Sequence, residues 1–322
     1  MFDKNIKIAF FGNSEFSLIV LQELKKNGII PDLIITTPDK PQGRKMIFIP
    51  TPTKTWAEEN SIEYIEPDKL KDEKFLEKIK NYNLFIVASY GKIIPKIIID
   101  IPKYQVLNIH PSLLPKYRGP SPLQEQILNN EKKIGVSIIL IDEQIDHGAI
   151  IAQKRVEIKN WPVGFFSLQE ILAKEGSKLL VEILSDWIKE KLKIQIQNDN
   201  EATFTKKIEK EDGLIVFNNK KPQNKADLIS VAQQSWLRGT AQTNVEKEIE
   251  YKNYLKILAF EEWPKTYFER QKKDSKNNNI GIQKKIRVII KKAIWKNNML
   301  EIQRVIPEGK KEMDYSSFLL GY

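Results

Sequence analysis

The chain has 322 residues, 41% hydrophobic and 29% charged, enough for two domains or one large one, and no run of roughly eighteen apolar residues could serve as a membrane span. Zero cysteines exclude disulfides, thiolate zinc sites and cysteine nucleophiles, and two histidines leave little for an imidazole metal site, so no metal is expected. The net charge of +10 is uneven: residues 1–205 hold 28 Lys and Arg against 27 Asp and Glu, residues 206–322 hold 24 against 15. A basic half beside a neutral one suits a polyanionic partner such as nucleic acid, and lysine-rich solubility accounts for it equally well.

The apolar run Ile6–Phe11 predicts a first strand almost at the N-terminus, leaving no room for a signal or transit peptide, so a cytoplasmic protein is expected. The turn after it, Phe11-Gly12-Asn13-Ser14, has one glycine where a dinucleotide fingerprint needs three, which argues against a nicotinamide or flavin dinucleotide. Ser14–Asn27 predicts a helix, with Phe16, Ile19, Val20 and Leu24 at helical spacing behind a serine cap. Strands are then expected at Asp32–Thr37, Leu84–Ser89, Val106–His110 and Ile134–Ile141, and helices at Thr53–Asn60, Lys69–Asn81, Ser121–Asn129 and Phe166–Ile194. Strands alternating with helices predict a mainly parallel sheet with right-handed crossovers, a Rossmann-like α/β domain over residues 1–195. Residues 196–213, with Lys206, Lys207 and Lys210, read as a basic linker. Within residues 214–322, Leu214–Phe217, Lys285–Ile294 and Met299–Val305 alternate like antiparallel strands, with a turn at Asn297-Asn298, and predict a small OB-like β-barrel. Arg270–Asn279 reads as a solvated loop.

Val106–His110 carries the chemistry. Side chains two apart on a strand share a face, so Asn108 and His110 point the same way, and the Pro, Ser, Arg and Gly that follow open a loop. Ligands of open α/β sheets sit outside the carboxyl ends of strands, where this pair is delivered. A lone strand histidine is more often structural than catalytic; Asn108 shifts the balance, because asparagine is poorly favoured inside strands and must be used or hydrogen-bonded there. Asp146, in the loop closed by Gly148, is the candidate carboxylate, although the pattern alone favours a turn-forming aspartate there and Asp142 competes for the role. His147 reads as a loop residue. Should the three converge, Asn108 and His110 would donate to an oxygen that becomes negative under nucleophilic attack while Asp146 orients the imidazole, the arrangement of acyl or formyl transfer.

The stretches Phe11-Gly12, Thr37-Pro38-Asp39-Lys40-Pro41-Gln42-Gly43-Arg44, Val87-Ala88-Ser89-Tyr90-Gly91, Asn108 through Gln124, Asp146-His147-Gly148, Thr205-Lys206-Lys207-Ile208, Trp263-Pro264 and Pro307-Glu308-Gly309-Lys310-Lys311 together resemble the folate-dependent formyltransferases, in their methionyl-tRNA formyltransferase branch. The resemblance implies Asn108, His110 and Asp146 as catalytic residues. It implies 10-formyltetrahydrofolate as co-substrate, with the backbone of Ala88, Ser89, Tyr90 and Gly91 in the pteridine pocket and Ser112, Leu113, Leu114 and Pro115 in the folate-site loop. It implies initiator Met-tRNA as acceptor and partner, met by Arg44 on a loop toward the acceptor stem and by Lys206 and Lys207 as phosphate contacts. A monomer is the family default. Trp263-Pro264 lies about forty residues beyond Phe217, so residues 218–250 read as an insertion in which Ala226–Leu237 could form a helix. Two other readings compete: formyl transfer to a small amine, either glycinamide ribonucleotide or an amino sugar nucleotide, and a catalytically inactive nucleic-acid-binding relative.

Overall fold

The computed structural model describes residues 5–42, 46–215, 244–271 and 285–321. Arg44 and the segment Ala226–Leu237 lie outside them. The chain divides into two compact units, one drawn from residues 1–126, 131–161 and 167–207 and the other from 127–130, 162–166 and 208–322.

The first unit is built on a seven-stranded sheet. In chain order its strands are β1 (Ile8–Phe11), β2 (Leu33–Ile35), β5 (Glu63–Ile65), β6 (Leu84–Val87), β7 (Val106–His110), β8 (Gly135–Leu140) and β9 (Ile150–Arg155), and in space they run β5-β2-β1-β6-β7-β8-β9. A separate hairpin pairs β3 (Lys40–Gln42) with β4 (Ile47–Ile49). The strands from β5 to β7 are mutually parallel, as the strand and helix alternation predicted. The expected strand at Ile134–Ile141 is β8, but it runs antiparallel to β7, and β9, which the sequence did not suggest, runs antiparallel to β8. An apolar run buried on both faces carries no mark of its direction, so only the connection decides it.

The order reverses at β1, which has β2 on one side and β6 on the other, and the carboxyl ends of β1, β6 and β7 therefore open onto one crevice. Helix α1 (Glu15–Lys26) starts at this edge. Its cap Ser14 accepts from the Ser17 N–H, Asn27 closes its carboxyl end, and Val20, Leu21 and Leu24 are buried on its sheet face. The remaining helices of the region are α2 (Pro52–Glu59), α3 (Glu73–Ile79), α4 (Lys96–Ile99), α5 (Pro122–Leu128) and the long α6 (Phe165–Ile188). One core layer joins Ala9, Phe11, Phe85, Val87 and Val106 of the sheet to Phe75, Ile79, Ile94 and Ile98. On the opposite face, a Cβ at Gly176 of α6 would stand 2.5 Å from Ile109 Cγ2, so glycine allows the helix to lie directly on β7. This packing takes Ile109 to one side of the sheet and leaves Asn108 and His110 on the other.

The second unit contains helix α7 (Asn244–Ala259), a four-stranded antiparallel sheet of β10 (Tyr267–Gln271), β11 (Lys285–Lys296), β12 (Met299–Pro307) and β13 (Met313–Asp314), and a terminal helix α8 (Tyr315–Gly321). β11 and β12 form the hairpin that the Asn297-Asn298 turn predicted, with φ of 51° and 59° at the two asparagines. Ile286, Val288 and Ile290 point alternately into a core shared with Ile257, Phe268, Val305 and Phe318. Residues 244–250, expected inside an insertion, are the first turns of α7, whose Leu255 and Ile257 are buried. Leu214, expected to open a strand, makes only an isolated parallel bridge to Tyr267.

Candidate active site

All of β7 is buried, and its carboxyl end brings Asn108 (9% exposed) and His110 (4%) to the crevice. The loop that follows turns back on the strand through two left-handed residues, Tyr117 at φ 64° and Gly119 at φ 114°. That turn presents a carbonyl and an N–H to the same site. His110 Nε2–H donates to the Tyr117 carbonyl at 3.0 Å, since a carbonyl can only accept. The Gly119 N–H donates to Asp146 Oδ2 at 2.7 Å.

Asp146 reaches the pair from the loop after β8. It sits at φ 50°, its Oδ1 stands 3.5 Å from His110 Nδ1, and the Asn108 amide donates to the same oxygen at 3.5 Å. The three expected residues are thus together. Burial pushes the Asp146 carboxyl up, but the charge of His110 and the hydrogen bond to it, the Gly119 N–H and the charge of Arg118 outweigh burial and hold it below the ordinary carboxylate value. Asp142, the competitor, is occupied elsewhere: its Oδ2 meets His147 Nδ1 at 2.6 Å, and Asp199 approaches the other ring nitrogen of His147 at 3.6 Å. Both nitrogens of His110 face acceptors, so the ring can donate to a third oxygen only by leaving the Tyr117 carbonyl. The second N–H of the Asn108 amide is the donor free of that constraint.

The residues expected to hold a folate divide into two loops. Ala88–Gly91 leaves β6 with φ of 50° at Ser89 and 75° at Gly91. Ser17 donates to the Ala88 carbonyl at 2.5 Å, and Asn13 donates to that of Tyr90 at 2.8 Å. Tyr90 packs edge-on against Phe11, its hydroxyl is buried without a hydrogen-bond partner among the described residues, and burial pushes that hydroxyl up. Beyond this loop a cleft of about 440 Å³ is lined by Ile93, Ile94, Ile97, Lys71, Lys96 and Glu143, the last from the loop that carries Asp146. In the second loop, Ser112 donates to the Lys116 carbonyl at 2.7 Å, and the Leu114 side chain is buried with Ile139 and Ile150. The carbonyls of Ser112 and Leu114 accept from Ser137 and Gln153 at 2.6 and 2.8 Å. Ser112 and Leu114 therefore offer a ligand the shape of their loop, not free side chains, while Leu113 packs by Gly135 and Pro115 follows a cis bond.

Lys206 and Lys207 are exposed between buried Thr205 and buried Ile208. Arg44 lies outside the described residues; after it, Met46 and the three residues of β4, Ile47, Phe48 and Ile49, are exposed. Reading the sequence assigned no role to Arg118 or Gln197. Arg118 is 3% exposed and donates through Nε and Nη2 to Gln197 Oε1 at 3.0 and 2.9 Å and through Nη2 to Asp199 at 2.8 Å. A buried arginine looks like any other in a polar loop, and its partner lies 79 positions away in a stretch read as linker.

Residues 6–184 match the Formyl transferase family model. A methionyl-tRNA formyltransferase of Sulfurihydrogenibium is 39% identical over 66% of this chain and 69% of its own length, and one of Campylobacter jejuni is 32% identical over 98% of this chain and 96% of its own. The chain belongs to the methionyl-tRNA formyltransferase family. Among solved structures, the methionyl-tRNA formyltransferase of Clostridium thermocellum covers 96% of this chain at a TM-score of 0.51 and 17% identity, and the sugar 3N-formyltransferase WlaRD covers the same share at 0.56 and 20%. Both share its fold. Among the described residues no group of three or more His, Cys, Asp or Glu could hold a metal ion, and no helix is long and apolar enough to cross a membrane.

Proposed function

We infer that this chain transfers the formyl group of 10-formyltetrahydrofolate to the α-amine of methionyl-initiator-tRNA, giving N-formylmethionyl-tRNA. The observation that carries the acceptor is that similarity to a methionyl-tRNA formyltransferase extends over 98% of the chain, far past the catalytic unit. The site suits the donor. Folate is a flat, polar ring system with an acidic tail, and the loops Ala88–Gly91 and Ser112–Pro115, which leave the carboxyl ends of β6 and β7, are the surfaces that would seat it.

When bound, the folate supplies a formyl carbon activated on N10. Asn108 donates to the formyl oxygen as it gains charge under attack by the amine. Asp146, held by His110, accepts the proton that the amine sheds and returns it to N10 as the carbon–N10 bond breaks, so one proton is moved and none is lost. The Tyr117 carbonyl and the Gly119 N–H fix the pair in register, and the depressed carboxyl of Asp146 keeps it ionised at neutral pH. Arg44, Lys206 and Lys207, with the basic surface of residues 206–322, contact tRNA phosphates, which position without reading sequence. The enzyme works as a cytoplasmic monomer.

The test is formyl transfer from 10-formyltetrahydrofolate to Met-tRNA, run beside glycinamide ribonucleotide and an amino sugar nucleotide. Turnover with charged tRNA alone is expected. Turnover with a small amine alone would keep the chemistry and overturn the acceptor, and tight tRNA binding without turnover would make the chain an inactive relative.

A further inference from the structure

The segment Gln195–Thr205, all but its first residue expected as linker, is tied at several points to the sheet edge and to the loops that carry the site. Gln195 pairs through its backbone with Ile150 at the sheet edge. Gln197 is 6% exposed, and its amide nitrogen donates to two carbonyls at once, Asp146 O and Gly148 O, each at 2.8 Å. Its oxygen accepts from Nε and Nη2 of Arg118, so all the polar capacity of one buried side chain is spent between the two loops that carry the site. Downstream, Thr203 and Thr205 fasten the other loop: the Tyr117 N–H donates to Thr203 Oγ1 at 2.8 Å, and the Thr205 N–H donates to the Arg118 carbonyl at 2.7 Å.

These contacts converge on Asp146, which sits in the left-handed region that aspartate tolerates better than most residues. The Asp146 carboxylate is fixed by Gly119, and its carbonyl by Gln197. Gly119 and Gln197 are in turn joined through Arg118, which precedes Gly119 in the chain. We propose that Gln197 is a positioning residue for formyl transfer, setting the separation of Asp146 from His110 through the Asp146 carbonyl while Arg118 holds it in place. The inference rests on the catalytic reading of Asn108, His110 and Asp146. In it, Gln197 completes the active site from beyond the sheet.

Gln197→Glu is the sharpest variant. It keeps the shape and the acceptor for Arg118, but sets an oxygen against two carbonyls where an amide donated. Full-length Gln197→Glu, Gln197→Ala and a control, Gln195→Ala at an exposed side chain, are compared by kcat and KM for both 10-formyltetrahydrofolate and Met-tRNA, with circular dichroism and melting temperature as the check on folding. The expected result is a kcat lowered about 10- to 100-fold in both Gln197 variants with each KM within about twofold of wild type, and wild-type kinetics in the control. A wild-type kcat in folded Gln197→Glu overturns the proposal, as does a loss confined to KM. If the alanine variant does not fold, the glutamate variant decides alone. If neither folds, Gln197 is a fold determinant and the positioning role is overturned. Failure of the parent reading is separate, since wild-type protein would then lack formyl transfer to every acceptor.

Discussion

β7 and β11 are both rich in isoleucine and valine, yet they speak differently about function. Every residue of β7 is buried, whereas Ile286, Val288 and Ile290 of β11 alternate with exposed or half-buried Lys285, Arg287 and Ile289. A polar side chain on β7 has no water and must be bonded or used, so Asn108 and His110 each demand an explanation. A lysine on the open side of β11 demands none. The first unit should therefore act through the exact aim of a few buried groups, felt in kcat, and the basic half through the number of its charges, felt in KM for tRNA.

The strongest test of that contrast is Asn108→Ala beside Asp146→Asn. Each is expected to lower kcat about a hundredfold or more while tRNA affinity, measured by filter binding, stays at the wild-type value. A parallel fall in affinity would erase the distinction between the two regions. Gly119→Ala comes next. Its φ of 114° is foreign to alanine, and the new Cβ would stand 2.8 Å from Thr205 Oγ1 and 2.9 Å from the Thr205 carbonyl. The loop must shift, taking its N–H from Asp146. A loss of about 1–3 kcal/mol in stability by urea unfolding and a lower kcat are expected together.

How far the sequence could be read follows the same contrast. Strand β7, the capped helix α1 and the Asn297-Asn298 hairpin were legible because burial, capping and left-handed turns leave marks within a few residues. The meeting of Asn108 and His110 was legible for the same reason. The choice between Asp142 and Asp146 was not: it depends on His147 turning to Asp142 and on the Gly119 N–H, both matters of how loops close. The direction of β8 was hidden because an apolar run reads the same both ways. Edge strand β5, three residues long and partly exposed, falls below any periodic signal. Gln197 was hidden most deeply, since a polar segment looks the same whether it is solvated or folded into a site.

The acid limb of stability gives a smaller effect. Asp146 titrates in the folded protein below its usual 3.8, so its contribution is complete above that pH and is lost as the pH falls through the lowered value. Asp146→Asn lacks this titration. Its stability should decline less steeply than that of wild type below pH 3.8, by urea unfolding at successive pH values. Equal slopes would mean that the carboxylate gains nothing from His110 and Gly119 in the folded state.

The smallest expected effect belongs to Lys207→Gln, and it is the most telling about the basic half. The side chain is exposed, so the change leaves its buried neighbour Ile208 in place and should cost at most about 0.5 kcal/mol of stability. No group of the active site depends on it, and kcat should be unchanged. A lysine that touches a phosphate releases about one counterion on binding. The plot of log affinity for Met-tRNA against log salt should therefore become shallower by about one, with KM for tRNA raised a few-fold at low salt and hardly at all at high salt. An unchanged slope would mean that Lys207 faces water in the complex, and the excess of positive charge after residue 205 would have to do its work through other residues.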